Sequence, residues 1–209
     1  MTYNGLKNVE WIGDMKKILN IAAGKFSPIE MPKKDFKLVN LDTMYFDSSS
    51  PQEVERAMYS TNEDSIFKCN ADAFEFMERT SLTFDQVVCY RFLEHISFDR
   101  VPYFIYLIST VLRVGGKIDC IVPNYQILAD MIINESNDFE VGGKGWEAHN
   151  TVLTTELLNE PGCPHASIWT PERVKYYMEF EGRFRVKDID PVYNFDGRKL
   201  YIRFIAKRI

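Results

Sequence analysis

Long hydrophobic runs are missing from this sequence. No apolar stretch approaches the roughly 20 residues that a bilayer-spanning helix requires, so no membrane partner is expected. Met1 to Gly13 is polar and acidic where a secretory leader would need an unbroken apolar segment, which makes a cytoplasmic location the expectation. Cysteine is scarce. Cys69, Cys89, Cys120 and Cys163 form no Cys-x-x-Cys pair, and three of them fall in apolar, strand-like runs where a thiol behaves as a small hydrophobe. That pattern reads as a reducing compartment rather than a disulfide framework. Positive charge is also short, 25 Lys+Arg against 30 Asp+Glu for a net charge of −5, which disfavours nucleic acid as a partner. The chain has three histidines, neither a metal cluster nor a nucleophilic triad appears in the sequence, and no metal is expected.

What is present is ordinary globular protein: 209 residues, 45% apolar and 26% charged, enough for a sizeable core in a single domain. Lys17 to Ala22 is a short apolar run ending in small residues, a buried strand feeding a tight turn at Ala23-Gly24. Strands are also expected at Phe36 to Asp42, Ile66 to Cys69, Phe84 to Tyr90 and Lys117 to Val122. Between them fall helices from Ser50-Pro51-Gln52-Glu53 to about Tyr59, from Ala73 to about Arg79, and from about Asp99 to Leu112, the last closed by Gly115-Gly116. Thr170-Pro171-Glu172 opens a late helix that stops near Gly182. Phe184 to Val192 and Lys199 to Ala206 then form a hairpin across Asn194 to Gly197.

Strands alternating with helices specify a doubly wound, mostly parallel α/β sheet of seven strands, finished by a C-terminal antiparallel hairpin. About 128–169 does not fit the alternation and reads as an inserted lid or substrate segment. Its Gly142-Gly143-Lys144-Gly145 stretch lacks the spacing and hydroxyl of a phosphate-binding loop.

In such a sheet, ligands bind beyond the carboxyl ends of the strands, where the winding reverses. Asn20 to Lys25 falls there, and Ala22, Ala23 and Gly24 keep the backbone bare for close approach, or simply pack tightly. Asp42 ends the second strand and either accepts ribose hydroxyls or is a solvated strand-end carboxylate. Asp72, beside Ala73, either accepts from an adenine amino group or caps the next helix. Asn20, Asp42 and Asp72 on one rim together describe a site for an adenosine-like ligand.

These segments resemble a class I S-adenosylmethionine-dependent methyltransferase, close to the type-11 group, over about Lys17 to Phe184. ILNIAAGKFSPI is similar to the glycine-rich first motif, KLVNLDTMYF to the ribose-binding strand and CNADAFEF to the adenine-binding segment. FDQVVCYRFLEHI, LISTVLRVGGKIDCIVPN and SIWTPERVKYYMEFEGRF follow in the family's order, with Leu93-Glu94-His95-Ile96 the most specific part. The first motif departs from the family where an acid is usual at Asn20 and glycines at Ala22 and Phe26; Gly24 keeps the family type. The resemblance implies S-adenosylmethionine as cofactor, bound by Asn20, Ala22, Ala23, Gly24, Asp42, Thr43, Asp72, Ala73, Tyr90 and Arg91. It also implies methyl transfer to a small-molecule or glycan-type acceptor.

Methyl transfer from a sulfonium asks the protein mainly to align the acceptor and exclude water. Where a base is needed, His95 and His149 are the catalytic candidates, each set against a structural or solvent-exposed role. A non-catalytic binding or scaffold protein with a degenerate cofactor motif is the alternative. A nicotinamide-dependent oxidoreductase is disfavoured by the missing Gly-x-Gly-x-x-Gly pattern and by the terminal hairpin.

Overall fold

The computed structural model describes residues 15–22, 35–43, 48–60, 65–134, 165–192 and 200–209. The strands are β1 (Lys16–Ile21), β2 (Phe36–Leu41), β3 (Ser65–Cys69), β4 (Phe84–Tyr90), β5 (Leu112–Pro123), β6 (Phe184–Val192) and β7 (Tyr201–Arg208). The helices are α1 (Pro51–Ser60), α2 (Ala73–Arg79), α3 (Val101–Val111), α4 (Tyr125–Asn134) and α5 (Pro171–Glu179), with one 3-10 turn at Leu93–His95. The strands lie in the order β3-β2-β1-β4-β5-β7-β6, a mostly parallel sheet with an antiparallel C-terminal hairpin. The expected turn at Asn194 to Gly197 lies outside the described residues.

The chain divides into two compact units. One comprises Met1–Tyr90, Phe104–Asp119 and Lys207–Ile209; the other comprises Arg91–Tyr103 and Cys120–Ala206. In the first, β1 pairs in parallel with both β2 and β4, and β2 with β3. Their interior is aliphatic, with Leu19, Val39 and Val87 fully buried. A strand buried on both faces reads as a continuous apolar run, which is why these strands stand out in the sequence.

Local capping chemistry fixes the helix starts. Ser50 N–H donates to Glu53 Oε2 at 2.8 Å and Glu53 N–H returns to Ser50 Oγ at 3.4 Å, the reciprocal pair that satisfies two orphan donors at the start of α1. Those Ser50 bonds hold the Glu53 carboxyl below its usual range. Thr170 Oγ1 accepts from Arg173 N–H at 3.3 Å and Pro171 occupies the first turn of α5.

One expectation needs correction. Gly115 and Gly116 do not cap a helix: α3 ends at Val111 and both glycines fall within β5. Gly115 takes φ +81, and a Cβ at Gly116 would meet Arg113 O at 2.8 Å, Leu112 Cγ at 2.9 Å and Asp85 O at 3.0 Å. Backbone crowding, not helix termination, therefore demands the second glycine. Helix α4, Tyr125–Asn134, covers the first residues of the segment at about 128–169 that reads as an inserted lid or substrate segment. Asn124 precedes the helix and its backbone C=O accepts from Leu128 N–H, yet its buried Oδ1 has no hydrogen-bond partner. Without a side-chain cap the helix start carries no sequence signature; packing of Tyr125 and Leu128 against Leu200 and Tyr201 holds it instead.

Candidate functional site

Within the first unit, β1 leads to β2 and β3 on one side while β4 lies on the other, so the winding reverses at β1. Because these four strands run parallel, their carboxyl ends share one edge. The residues there are short. Ala22 follows β1, Asp42 and Thr43 follow β2, and Asp72 and Ala73 follow β3. Tyr90 ends β4, and Arg91 comes next, at φ +58. Asp42 and Asp72 thus fall at one end of adjacent strands, with Asp42 N–H donating to Cys69 O at 3.1 Å. Asp42 is half-buried and Thr43 exposed.

Asp72 is the N-cap of α2. Its Oδ1 accepts from both Phe74 N–H at 2.9 Å and Glu75 N–H at 3.1 Å, while Oδ2 takes part in neither bond. Capping and ligand recognition are therefore compatible on this carboxylate. Asn20 lies one residue inside β1, is buried, and donates from Nδ2 to Asn40 Oδ1 at 2.8 Å, opposite it in register. Its amide thus links two strands rather than projecting from the rim. Ala73 is buried, and Tyr90 packs against Ile18, Phe36, Leu38 and Val88. Ala23, Gly24 and His149 lie outside the described residues, as does Phe26.

Ala22 takes φ +55, a left-handed conformation that costs an L-residue roughly 1–2 kcal/mol. Ala22→Gly relieves that strain and gives back about 0.4–1 kcal/mol through the freer unfolded chain. A small net stabilisation of about 0.5 kcal/mol is expected in urea unfolding. A loss of stability would mean that the methyl group packs usefully.

The second unit holds a different cluster. Leu93–His95 forms the 3-10 turn, and residues 165–169 run beside it. Ala166 and Ser167 N–H both donate to Glu94 O, at 2.7 and 3.0 Å, and Ser167 Oγ donates to Leu93 O at 2.9 Å. Trp169, fully buried, donates from Nε1 to Ser167 Oγ at 2.9 Å. This ladder brings His165 to the turn: its ring centroid is 5.0 Å from that of His95. Tyr125 OH and His165 Nδ1 are 2.5 Å apart.

Glu94 is 1% exposed and its Oε2 has no hydrogen-bond partner. Burial pushes its carboxyl up to about 7, against the lowering effects of its own backbone N–H and of Arg91. Burial also pushes the His165 imidazole down to about 4, aided by the neighbouring His95 and Arg91. The Tyr125 hydroxyl is raised by burial and then by Glu94 and Tyr201. Sequence reasoning missed this cluster because His165 is remote in the chain from Glu94-His95. The signal was there in outline: an adjacent Glu-His pair, and a further histidine shortly before a buried tryptophan. Among the described residues, Cys69, Cys89 and Cys120 are buried, and burial pushes the Cys69 thiol up to about 11. No described helix is long and apolar enough to cross a membrane.

No protein-family model matches the sequence, and no curated protein matches it. Solved structures do match. The chain is similar to an S-adenosylmethionine-dependent methyltransferase from Methanosarcina mazei, with TM-score 0.58 and 16% identity over 95% of this chain and 94% of that one. It is similar to magnesium protoporphyrin IX methyltransferase from Synechocystis, which holds S-adenosylhomocysteine, with TM-score 0.54 and 9% identity over 94% of this chain and 75% of that one. It also resembles the N-methyltransferase NodS from Bradyrhizobium japonicum in complex with S-adenosylhomocysteine, with TM-score 0.53 and 14% identity over 94% and 79% of the two chains. The protein has the fold of class I S-adenosylmethionine-dependent methyltransferases.

Proposed function

We propose that this protein binds S-adenosylmethionine at the carboxyl edge of β1 to β4 and transfers its methyl group to a small-molecule or glycan-type acceptor, in the cytoplasm. The observation that carries the reading is the joint position of Asp42 and Asp72 at the carboxyl ends of adjacent parallel strands beside the winding reversal. The donor set fits the cofactor. Asp42 offers a half-buried carboxylate to a pair of ribose hydroxyls, and Asp72 keeps Oδ2 for an adenine amino group while Oδ1 caps α2. Ala22 and Ala73 supply small side chains beside which an adenosine can approach the backbone.

When bound, the cofactor supplies an electrophilic methyl carbon. The remaining tasks fall to the chain: holding the nucleoside by its two carboxylates, orienting the acceptor and keeping water out. Asn20 is buried behind this edge, with its Nδ2 donating to Asn40 Oδ1.

Calorimetry with S-adenosylmethionine and S-adenosylhomocysteine tests the reading. Both are expected to bind, and Asp42→Ala to weaken them by about 1–3 kcal/mol through loss of charge-assisted hydrogen bonds. Absence of binding, or an affinity indifferent to Asp42, would move the function elsewhere. The strained turn at Ala22 favours one second reading, a fold retained for binding without turnover. Cofactor binding without radiolabelled methyl incorporation into any extract fraction would select it.

A further inference from the structure

We propose that Glu94, His95 and His165 bind a divalent first-row transition-metal ion of the Zn2+ or Co2+ class. Ion binding does not depend on the methyl-transfer reading, because all three residues belong to the second unit and none is among the proposed cofactor ligands. Each offers one donor atom, and the three donors lie within 4.8 Å of one another. Bonds of about 2.0–2.2 Å to one ion in a tetrahedral shell put the donors roughly 3.3–3.6 Å apart, so binding requires a contraction of at most about 1.5 Å. Side-chain rotation of two half-buried imidazoles can supply it.

A second observation points to a ligand independently of this grouping. Glu94 is almost wholly buried, yet its Oε2 has no hydrogen-bond partner. A buried carboxylate oxygen without a donor is costly, and natural structures keep few of them without a reason. A cation would satisfy it. The surroundings are also those of a held ligand. Tyr125 OH lies 2.5 Å from His165 Nδ1, and with Nδ1–H donating to the hydroxyl oxygen the contact orients the ring and leaves Nε2 for the ion, as an outer-shell partner does for metal-binding histidine. The backbone of Glu94 is pinned by Ala166 and Ser167, so turn and strap are held together before any ion arrives.

Donor chemistry selects the ion. Two imidazoles and one carboxylate suit late first-row divalent ions, whereas Mg2+ and Ca2+ prefer oxygen alone. Three protein ligands leave at least one coordination position for water or an oxygen ligand. Arg91, exposed and 5.6 Å over the Tyr201 ring, is the positive group acting on both Glu94 and His165, and it opposes the ion. Any part the open position plays toward an acceptor hydroxyl does rest on the methyl-transfer reading.

The test is a Co2+ titration of the full, chelator-stripped chain, followed by visible spectroscopy and calorimetry. One equivalent is expected to bind and produce d–d bands, Zn2+ to displace it, and Mg2+ to do neither. Glu94→Gln and His165→Gln are expected to abolish that binding while keeping the wild-type circular dichroism. Absence of one-equivalent binding, retention of it in both variants, or a near-ultraviolet thiolate band showing cysteine ligation would each overturn the proposal. None of these readouts involves S-adenosylmethionine, so failure here leaves the cofactor reading intact, and the converse holds.

Discussion

Glu94→Gln is expected to make the metal-free protein more stable at pH 8, by up to about 3 kcal/mol, and to change little at pH 4. The Glu94 carboxyl rises from 4.5 to about 7 on folding because burial opposes its charged form. Between those values the folded chain therefore binds more protons than the unfolded chain, and stability falls as pH rises through the window. Above about 7 the full penalty of a buried carboxylate with an unpartnered Oε2 is present. Glutamine removes it.

His165 runs in the opposite direction. Its folded value is pushed down to about 4 from 6.5, so its contribution is stability gained as pH rises between the two. In the wild type the two slopes oppose each other across their shared window. In Glu94→Gln the opposing slope of Glu94 is gone, and urea unfolding with chelator present should show the rising limb of His165 between about pH 4 and 6.5. A variant less stable than wild type at pH 8 would mean that Glu94 has a charged partner, and would undercut its description as an unsatisfied acid.

Trp169→Ala should cost about 3–5 kcal/mol, the range for truncating a fully buried large aromatic. The indole fills the space beside Phe98 and Tyr177, at ring-centroid distances of 6.1 and 5.7 Å, and its Nε1 supports Ser167. Trp169→Phe keeps most of the apolar contact and loses that one hydrogen bond, so about 1 kcal/mol is expected from the bond itself. Thermal unfolding of both variants decides the matter. Equal, small losses would show that the 165–169 strap does not depend on the indole.

The fold was legible where residues carry their own local reasons. The α1 capping box at Ser50 and Glu53, the Asp72 cap of α2 and the Thr170-Pro171 start of α5 are written in side chains that bond to their own backbone. Strands β1, β2 and β4 were legible because burial concentrates apolar residues in each of them. Helix α4 was not, since Asn124 does not cap it and its support comes from Leu200 and Tyr201, distant in sequence. The glycine pair misled for a related reason: Gly116 answers to Asp85 O on another strand, which no local pattern reports.

The candidate cofactor edge follows the same division. Parallel strands deliver Asp42 and Asp72 to one end by topology, so reading the strands placed the acids. The side-chain pairing of Asn20 with Asn40 needed the strand register, and the meeting of Glu94, His95 and His165 needed tertiary structure. No local motif reports that meeting, because its members come from a turn and a distant strap.

The central claim is that a nucleoside binds across the carboxyl ends of β1 to β3. A crystal structure with S-adenosylhomocysteine tests it most directly. The account predicts ribose hydroxyls on the Asp42 carboxylate and the adenine amino group near Asp72 Oδ2, with the Asp72 cap on Phe74 and Glu75 intact. A ligand found away from both carboxylates, with Asp42 in contact with solvent alone, would contradict it.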